Sequence, residues 1–160
     1  GNLQTNKVKY IIDKVDMIES VSSVRLAREI DRQAAKYNIK MPVLAEINIG
    51  SEESKHGILP EEWEDFWDEF VKLPNLIPSG VMTMAPLLSR PEDYNEYFER
   101  ACDIFKETVS KRLQNIDKPV LSMGMSSSYR QAVLCGSTEI RVGSAIFGER
   151  PYDRIKKAAE

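Results

Sequence analysis

Cysteine and histidine are both scarce: the 160 residues include two cysteines and one histidine. Cys102 and Cys135 lie inside apolar helical patterns and not at paired spacings. We therefore expect two buried free thiols and a reducing compartment, the cytoplasm. His56 has no cluster of cysteine or carboxylate residues at metal-ligand spacing around it, which argues against a metal site. We interpret it as a loop residue.

Long apolar runs and a large charge excess are also missing. The net charge is -3, with both signs spread along the chain, so neither nucleic acid nor an acidic membrane surface is an expected partner. No run reaches the length of a membrane span, and no signal peptide opens the chain. The first residue is Gly1, which fits either a natural start further upstream or a tag remnant. The length fits one domain, covering residues 1–160.

What the chain does contain is a regular alternation of short apolar runs and longer amphipathic ones. This order predicts parallel strands joined by crossover helices, an α/β fold. The predicted strands cover residues 15–20, 43–49, 77–84, 120–123 and 139–142.

Several helix starts are marked by capping residues or first-turn prolines. Ser22 or Ser23 is placed to cap the helix that follows the first strand. Pro60 occupies a first-turn position, and residues 89–92 resemble a capping box. Residues 3–12 also have helical spacing, so we expect a helix before the first strand.

Behind Pro60, large apolar side chains recur on one helix face: Trp63, Phe66, Trp67 and Phe70. One interpretation is a stacking platform for a ligand. Because the intervening positions are nearly all glutamate and aspartate, the pattern favours a helix that packs on a sheet.

Ligands of such folds bind at the carboxyl ends of the strands. Three loops lie at that end, at 48–57, 124–128 and 143–148. They are richer in glycine, serine and methionine than the loops that follow helices, so we expect the binding site there.

The last two of these loops have the composition of an anion site. Gly124 lets the backbone approach a ligand, and Ser126 and the free N–H groups of a helix start offer donors. Gly143 and Ser144 repeat this one strand later. Phosphate often binds between the loops after the last two strands of a barrel. The alternative is that residues 126–128 only cap a helix and Gly143 only makes a tight turn.

Arg141 is the second residue of a short strand. If its neighbours Ile140 and Val142 face the helices, Arg141 points into the interior, where a buried cation needs an acceptor. A ligand's phosphate or ring nitrogen is one candidate, and an interior carboxylate such as Glu46 is the other. Asn48 also projects from a strand end toward this face, unless it belongs to an interior polar network.

Lys55 lies on the ligand side, but its sequence neighbours are polar. We expect it to be solvated, without the desolvated pocket that activates a lysine for Schiff-base chemistry. A phosphate-binding enzyme without a cofactor would need an acid–base pair on this face. The only candidates for that pair are Glu52, Glu53 and His56.

Four segments in order closely resemble the pyridoxal phosphate homeostasis proteins (the YggS/PROSC family). They are residues 1–7 (GNLQTNK), 80–86 (GVMTMAP), 121–126 (LSMGMS) and 142–150 (VGSAIFGER). The resemblance covers nearly the whole chain. It implies a (β/α)8 TIM barrel of the alanine racemase type that binds pyridoxal 5'-phosphate (PLP). It also implies a role in vitamin B6 and amino-acid homeostasis without an established reaction.

By this resemblance, the phosphate of the cofactor lies near Ser126, Gly143 and Ser144, and the pyridine nitrogen lies near Arg141. Ser122 and Asn48 line the pocket. The predicted cofactor-binding residues are Asn48, Ser122, Gly124, Ser126, Arg141, Gly143 and Ser144. No catalytic residue is predicted.

The chain departs from the family in two places. Ser128 stands where the family often has an acidic residue, which changes the local charge. The family's Schiff-base lysine ends a strand upstream of Gly1, and about five of eight barrel strands are present. We therefore expect an incomplete, partial PLP-binding barrel domain whose outer strands are exposed edges. The full family fold is expected to be a monomer, whereas this chain is open to self-association.

The main alternative is the barrel domain of a PLP-dependent racemase or decarboxylase. Those enzymes add a β-rich domain after the barrel that contributes catalytic residues. Only a short charged tail follows Phe147 here, which favours the homeostasis protein, a binding protein and not an enzyme.

Overall fold

The computed structural model describes residues 2–52 and 55–148. Three parts of the sequence discussed above lie outside these residues: Glu53, the last two residues of the family-like segment 142–150, and the charged tail. The strands and α-helices in chain order are β1 (Ile18–Val21), α1 (Val24–Tyr37), β2 (Met41–Ile47), α2 (Trp63–Phe70), β3 (Leu76–Thr83), α3 (Tyr94–Arg112), β4 (Val120–Met125), α4 (Tyr129–Leu134), β5 (Glu139–Arg141) and α5 (Ser144–Phe147). Short 3-10 helices cover Thr5–Tyr10, Pro60–Glu62 and Pro91–Asp93.

All five strands lie in one parallel sheet, in the order β1-β2-β3-β4-β5. The predicted α/β class and the predicted number of strands are confirmed. β1 and β5 are the outer strands of this sheet, as expected. Within the described residues, every helix is too short or too polar to span a bilayer.

The sheet is strongly curved. β1 and β4 are separated by two strands, which would put them about 14 Å apart in a flat sheet. Yet Oγ of Ser122 on β4 lies 2.9 Å from Oε2 of Glu19 on β1. This contact requires the sheet to bend toward one face, so the five strands form an arc of a barrel whose concave face carries Glu19 and Ser122.

Helices cover the other face, and the core forms between them and the strands. The predicted aromatic face of α2 is buried, with Trp67 1% and Phe70 0% exposed. Phe66 packs against Phe70 with ring centroids 4.9 Å apart, and Nε1 of Trp63 donates to Oγ1 of Thr108 at 3.0 Å. These side chains belong to one hydrophobic cluster with residues of β2 and β3, so the aromatic face is part of the core and not an exposed stacking platform.

Some local predictions are corrected. β1 begins at Ile18, three residues later than predicted, because pairing with β2 starts there. The segment at 3–12 forms a 3-10 helix over Thr5–Tyr10. Ser23 caps α1 by accepting from the N–H of Leu26 at 3.2 Å. The capping box at 89–92 is wrong: no side chain caps that helix start.

Candidate functional site

Strand register places one interior side chain from each of four neighbouring strands in a single layer. Glu46 pairs with Met82, Met82 with Ser122, and Ser122 with Glu139. Glu19 on β1 reaches the same layer across the curved sheet. The concave face is therefore polar and mostly acidic at this level.

Arg141 points into this concave face, as the alternation along β5 predicts. Its Nη1 donates to Oγ of Ser122 at 2.7 Å, and its Nη2 donates to the carbonyl of Thr83 at 2.8 Å. Burial lowers the pKa of Arg141, while the negative charges of Glu19 and Glu139 oppose this effect. The guanidinium is thus held by a hydroxyl and a carbonyl, and faces carboxylates at longer range.

The sequence left open whether Arg141 pairs with Glu46 or with a ligand. Within the described part of the chain, Arg141 and Glu46 do not form a direct ion pair. The side chain is 2% exposed, and its Oε2 has no hydrogen-bond partner among the described residues. Burial raises the pKa of the Glu46 carboxyl, and positive charge on His56 and Arg141 opposes the rise. Glu46 lines an open cavity of about 430 Å³ on the concave face together with Glu19 and Arg141.

At the carboxyl end of the strands, Ser126 joins the two loops that the sequence singles out. Its Oγ accepts from the N–H of Gly143 at 3.2 Å and from the N–H of Ala145 at 3.1 Å. Gly143 has a φ of -113°, and a Cβ atom built on it would meet nothing within 4 Å. Ser144 begins α5 beside it and is exposed. The structure therefore brings Ser126, Gly143 and Ser144 together next to open space.

Gly124 has a different local reason to be glycine. Its φ is +89°, and a Cβ atom would lie 2.5 Å from Cβ of Ala132 and 3.1 Å from Cα of Tyr129. Close packing of α4 against β4 therefore requires this glycine. Ser128, at the N-cap position of α4, accepts from the N–H of Met125 at 3.2 Å and does not cap the helix.

A cleft of about 210 Å³ opens between these loops, and Gly124 and Arg141 both line it. Lys55 lines it too. Its Nζ donates to the carbonyl of Ala85 at 2.8 Å and lies 3.6 Å from Oε1 of Glu52, and its side chain is only 25% exposed. The expectation that Lys55 is solvated is therefore wrong. The sequence places Lys55 on the correct face but does not show that its loop folds back over β3.

Asn48 is buried, and its side chain shapes the first of the three loops. Nδ2 donates to the carbonyl of Glu52 at 2.9 Å, and Oδ1 accepts from the N–H of Glu52 at 3.2 Å. Both ends of the amide are thus used within the loop. Asn48 belongs to a polar network, the second of the two interpretations that the sequence left open.

Sequence reasoning missed Glu19 and Glu139 at the interior layer. Glu139 precedes Arg141 by two residues, so strand alternation places both on one face and was a usable signal. Glu19 gave no such signal, because its contact with Ser122 depends on the curvature of the sheet. Within residues 2–52 and 55–148, no cluster of three or more histidine, cysteine or carboxylate residues has a geometry suited to a metal ion. Both cysteines are free and partly buried.

Comparison with known proteins gives a consistent picture. The sequence pattern of the family described as alanine racemase, N-terminal domain, matches residues 1–151. The pyridoxal phosphate homeostasis protein of Aquifex aeolicus is 43% identical over 152 residues, which are 95% of this chain and 66% of that protein. The chain thus spans slightly less than two thirds of that relative.

Two solved structures place the fold. PipY of Synechococcus elongatus, solved with PLP bound, matches with a TM-score of 0.81 at 30% identity, over 92% of this chain and 68% of PipY. An alanine racemase of Clostridium difficile matches with a TM-score of 0.71 at 14% identity, over 94% of this chain and 41% of the racemase, a likeness of fold alone. The resemblance read from the sequence motifs, and the barrel type that it implies, are confirmed.

Proposed function

The chain belongs to the alanine racemase N-terminal domain family, and on that premise we propose that it binds PLP, chiefly through the phosphate of the cofactor. The proposal extends to a role in vitamin B6 and amino-acid homeostasis without turnover. It is supported by the PLP bound to PipY and by the name of the Aquifex relative.

The observation that carries the proposal is the bridge made by Ser126 beside the open face of Gly143. A phosphate needs several donors at one point. Oγ of Ser126 accepts from two backbone N–H groups and still has its own hydrogen to donate. Among the described residues, leaving aside the chain neighbours of Gly143, no atom lies within 4 Å of a Cβ position built on it. A hydroxyl donor, held in place by two backbone N–H groups, therefore lies next to open space, an arrangement that fits an anionic group.

We assign the phosphate to Ser126, Gly143 and Ser144, and the aromatic ring to the cleft that Gly124 and Arg141 line. Arg141 would donate to the ring nitrogen, since a guanidinium cannot accept a proton at neutral pH. PLP supplies an electron sink for amine chemistry when it is bound.

Two further residues act behind this contact set. Ser122 is fully buried under Arg141 and would hold the guanidinium in place. Asn48 would keep the 48–57 loop in shape through its bonds to Glu52.

Replacing Ser126 with alanine is expected to weaken PLP binding about tenfold, because one neutral hydrogen bond and the order of two loops are lost. Gly143→Ala is expected to weaken it at least as much, because the methyl group fills the phosphate space. Binding of pyridoxal, which lacks the phosphate, should be nearly unchanged in both variants. Isothermal titration calorimetry measures the affinity of each chain for PLP, pyridoxal and inorganic phosphate.

The matched control is Ser110→Ala, because Ser110 is an exposed serine on α3 whose hydroxyl only contacts the carbonyl of Glu107. It should bind PLP as the unmodified chain does. Equal affinity for PLP and pyridoxal, or an unchanged affinity in Ser126→Ala, would contradict phosphate-led binding.

We further propose the cytoplasm as the location of the protein, because both cysteines are free thiols, as expected in a reducing compartment.

We also propose self-association through the outer strands β1 and β5. The proposal of association is supported by the position of these strands at the two ends of the sheet, since unpaired strand edges favour pairing between chains. Light scattering at increasing protein concentration should show a rising mean mass. A constant monomer mass would exclude the association.

A further inference from the structure

Ser122 is the meeting point of three polar side chains. Its Oγ lies 2.9 Å from Oε2 of Glu19, 3.1 Å from Oε1 of Glu139 and 2.7 Å from Nη1 of Arg141. Ser122 itself is 0% exposed. The pattern of contacts is therefore fixed by these four groups.

The number of hydrogens available decides how these contacts are made. A serine hydroxyl has one hydrogen to donate and two positions at which to accept. Arg141 can only donate, so it takes one accepting position. The hydroxyl hydrogen satisfies one of the two carboxylates. The remaining contact joins two oxygens at about 3 Å and needs a hydrogen of its own. Among these four groups, a protonated carboxyl is the one that can supply it.

The charges around Ser122 also favour one protonated carboxyl group. β1 contributes Glu19, β2 contributes Glu46, and β5 contributes Glu139 and Arg141. The layer residues of β3 and β4, Met82 and Ser122, are uncharged. Three carboxyl groups thus face one guanidinium. Burial raises the pKa of the Glu139 carboxyl and the negative charge of Glu19 raises it further, whereas the hydrogen bond with Ser122 and the charge of Arg141 oppose the rise.

We propose that Glu19 and Glu139 share one proton through Ser122, and that this protonated pair positions Ser122 and Arg141 on the concave face. With the proton in place, Glu19, Glu139 and Arg141 together carry no net charge. Loss of the proton leaves two carboxylates in contact with one hydroxyl, and the contact with Ser122 must open. An effect on PLP binding would rest on the proposed function, but the shared proton does not.

The first test uses single glutamine variants. Glutamine keeps the shape of glutamate and carries a permanent N–H donor, so Glu139→Gln or Glu19→Gln reproduces the protonated state at every pH. The double variant removes both carboxylates that face Arg141 through Ser122. Each single variant should therefore fold, whereas the double variant should be less stable than the sum of the single effects predicts.

The pH dependence of unfolding has a definite sign. Because the folded state holds a proton that the unfolded chain releases near the ordinary value of 4.5, stability is complete below that pH. It falls as the pH rises toward the raised pKa of the folded state. In this window, one proton changes the unfolding equilibrium constant of the unmodified chain by up to about tenfold per pH unit relative to Glu139→Gln. Urea titrations from about pH 4 to about pH 8, without any ligand, measure this difference.

Two controls separate the pair from other carboxyl groups. Glu61→Gln changes an exposed glutamate and should run parallel to the unmodified chain at every pH. Glu46→Gln should remove the separate contribution of Glu46 and leave the pair intact. Infrared spectroscopy should show a protonated carboxyl band that both Glu19→Gln and Glu139→Gln abolish and Glu46→Gln retains.

A constant difference in stability between Glu139→Gln and the unmodified chain across the pH range would overturn the proposal. So would an infrared spectrum of the unmodified chain with no protonated carboxyl above pH 6 or so. These measurements use no cofactor, so a chain that fails to bind PLP would refute the proposed function and leave the shared proton standing. A chain that binds PLP but shows neither the pH-dependent difference nor the protonated carboxyl band would refute the shared proton and leave the proposed function standing.

Discussion

A chain with alanine at position 80 is expected to lose about 3 kcal/mol of stability or more, and to fold poorly as a result. Gly80 lies in β3 at a φ of +155°, which other residues rarely adopt. A Cβ atom there would lie 1.9 Å from the carbonyl oxygen of Val120 and 2.8 Å from its carbonyl carbon. Because the obstacle is the backbone of the paired strand β4, no side-chain rotation relieves it.

The matched control for this prediction is Gly143→Ala, where a Cβ atom meets nothing and φ is negative. Its stability should stay within about 0.5 kcal/mol of the unmodified chain. Urea denaturation followed by far-UV circular dichroism compares the two variants. Similar midpoints for both would show that β4 moves away easily, and the tight β3–β4 pairing would then be wrong.

The strand that holds Gly80 illustrates what the sequence could and could not predict. An apolar run bounded by turn residues was enough to predict a strand at 77–84, close to the observed Leu76–Thr83. The irregular pairing inside it was not predicted. Val43 pairs with Pro78 and Leu44 with Gly80, so Ser79 is an extra residue. A proline and a glycine within one strand are the usual signs of such a bulge.

The candidate site was partly predictable for a similar reason. Parallel strands end on one side of a sheet, so the loops that contain Ser126 and Gly143 could be expected to meet, and alternation along β5 gave the direction of Arg141. The burial of Lys55 and the reach of Glu19 to Ser122 could not be predicted. Both depend on how far the sheet curves and where a loop folds back, which are properties of the packed chain and not of local sequence.

Arg141→Leu is the second change with a large expected effect, a loss of about 2–4 kcal/mol at neutral pH. Removing one partner from a fully buried charge cluster usually costs more than this. Because part of Arg141 is exposed, we expect the smaller loss. Without the guanidinium, Glu19 and Glu139 lose the cation that faces them, and Glu46 loses one of the positive charges that act on it. Leucine has an apolar side chain that packs in the interior, so the loss would come from electrostatics and not from an empty cavity.

The pH dependence distinguishes this cause from a general packing defect. Removing Arg141 raises the pKa of the facing carboxyl groups, because Arg141 lowers that of both Glu46 and Glu139. Carboxyl groups whose pKa is higher in the folded state than in the unfolded chain stabilise the fold at low pH. This stabilisation is lost as the pH rises through their folded-state pKa values. Arg141→Leu should therefore approach the unmodified chain in acid and diverge from it toward neutral pH.

Two further variants complete the test of Arg141. Arg28→Leu removes the exposed ion pair with Glu69 and should cost no more than about 1 kcal/mol at any pH. Adding Glu139→Gln to Arg141→Leu should restore part of the loss at neutral pH, because one uncompensated carboxylate disappears. Urea titrations at about pH 5 and about pH 7.5 compare the four chains. A loss in Arg141→Leu that is the same at both pH values, and that Glu139→Gln does not reduce, would show that Arg141 acts only through packing and its hydrogen bonds to Ser122 and Thr83. It would then have no part in balancing the acidic concave face on which the proposed PLP site rests.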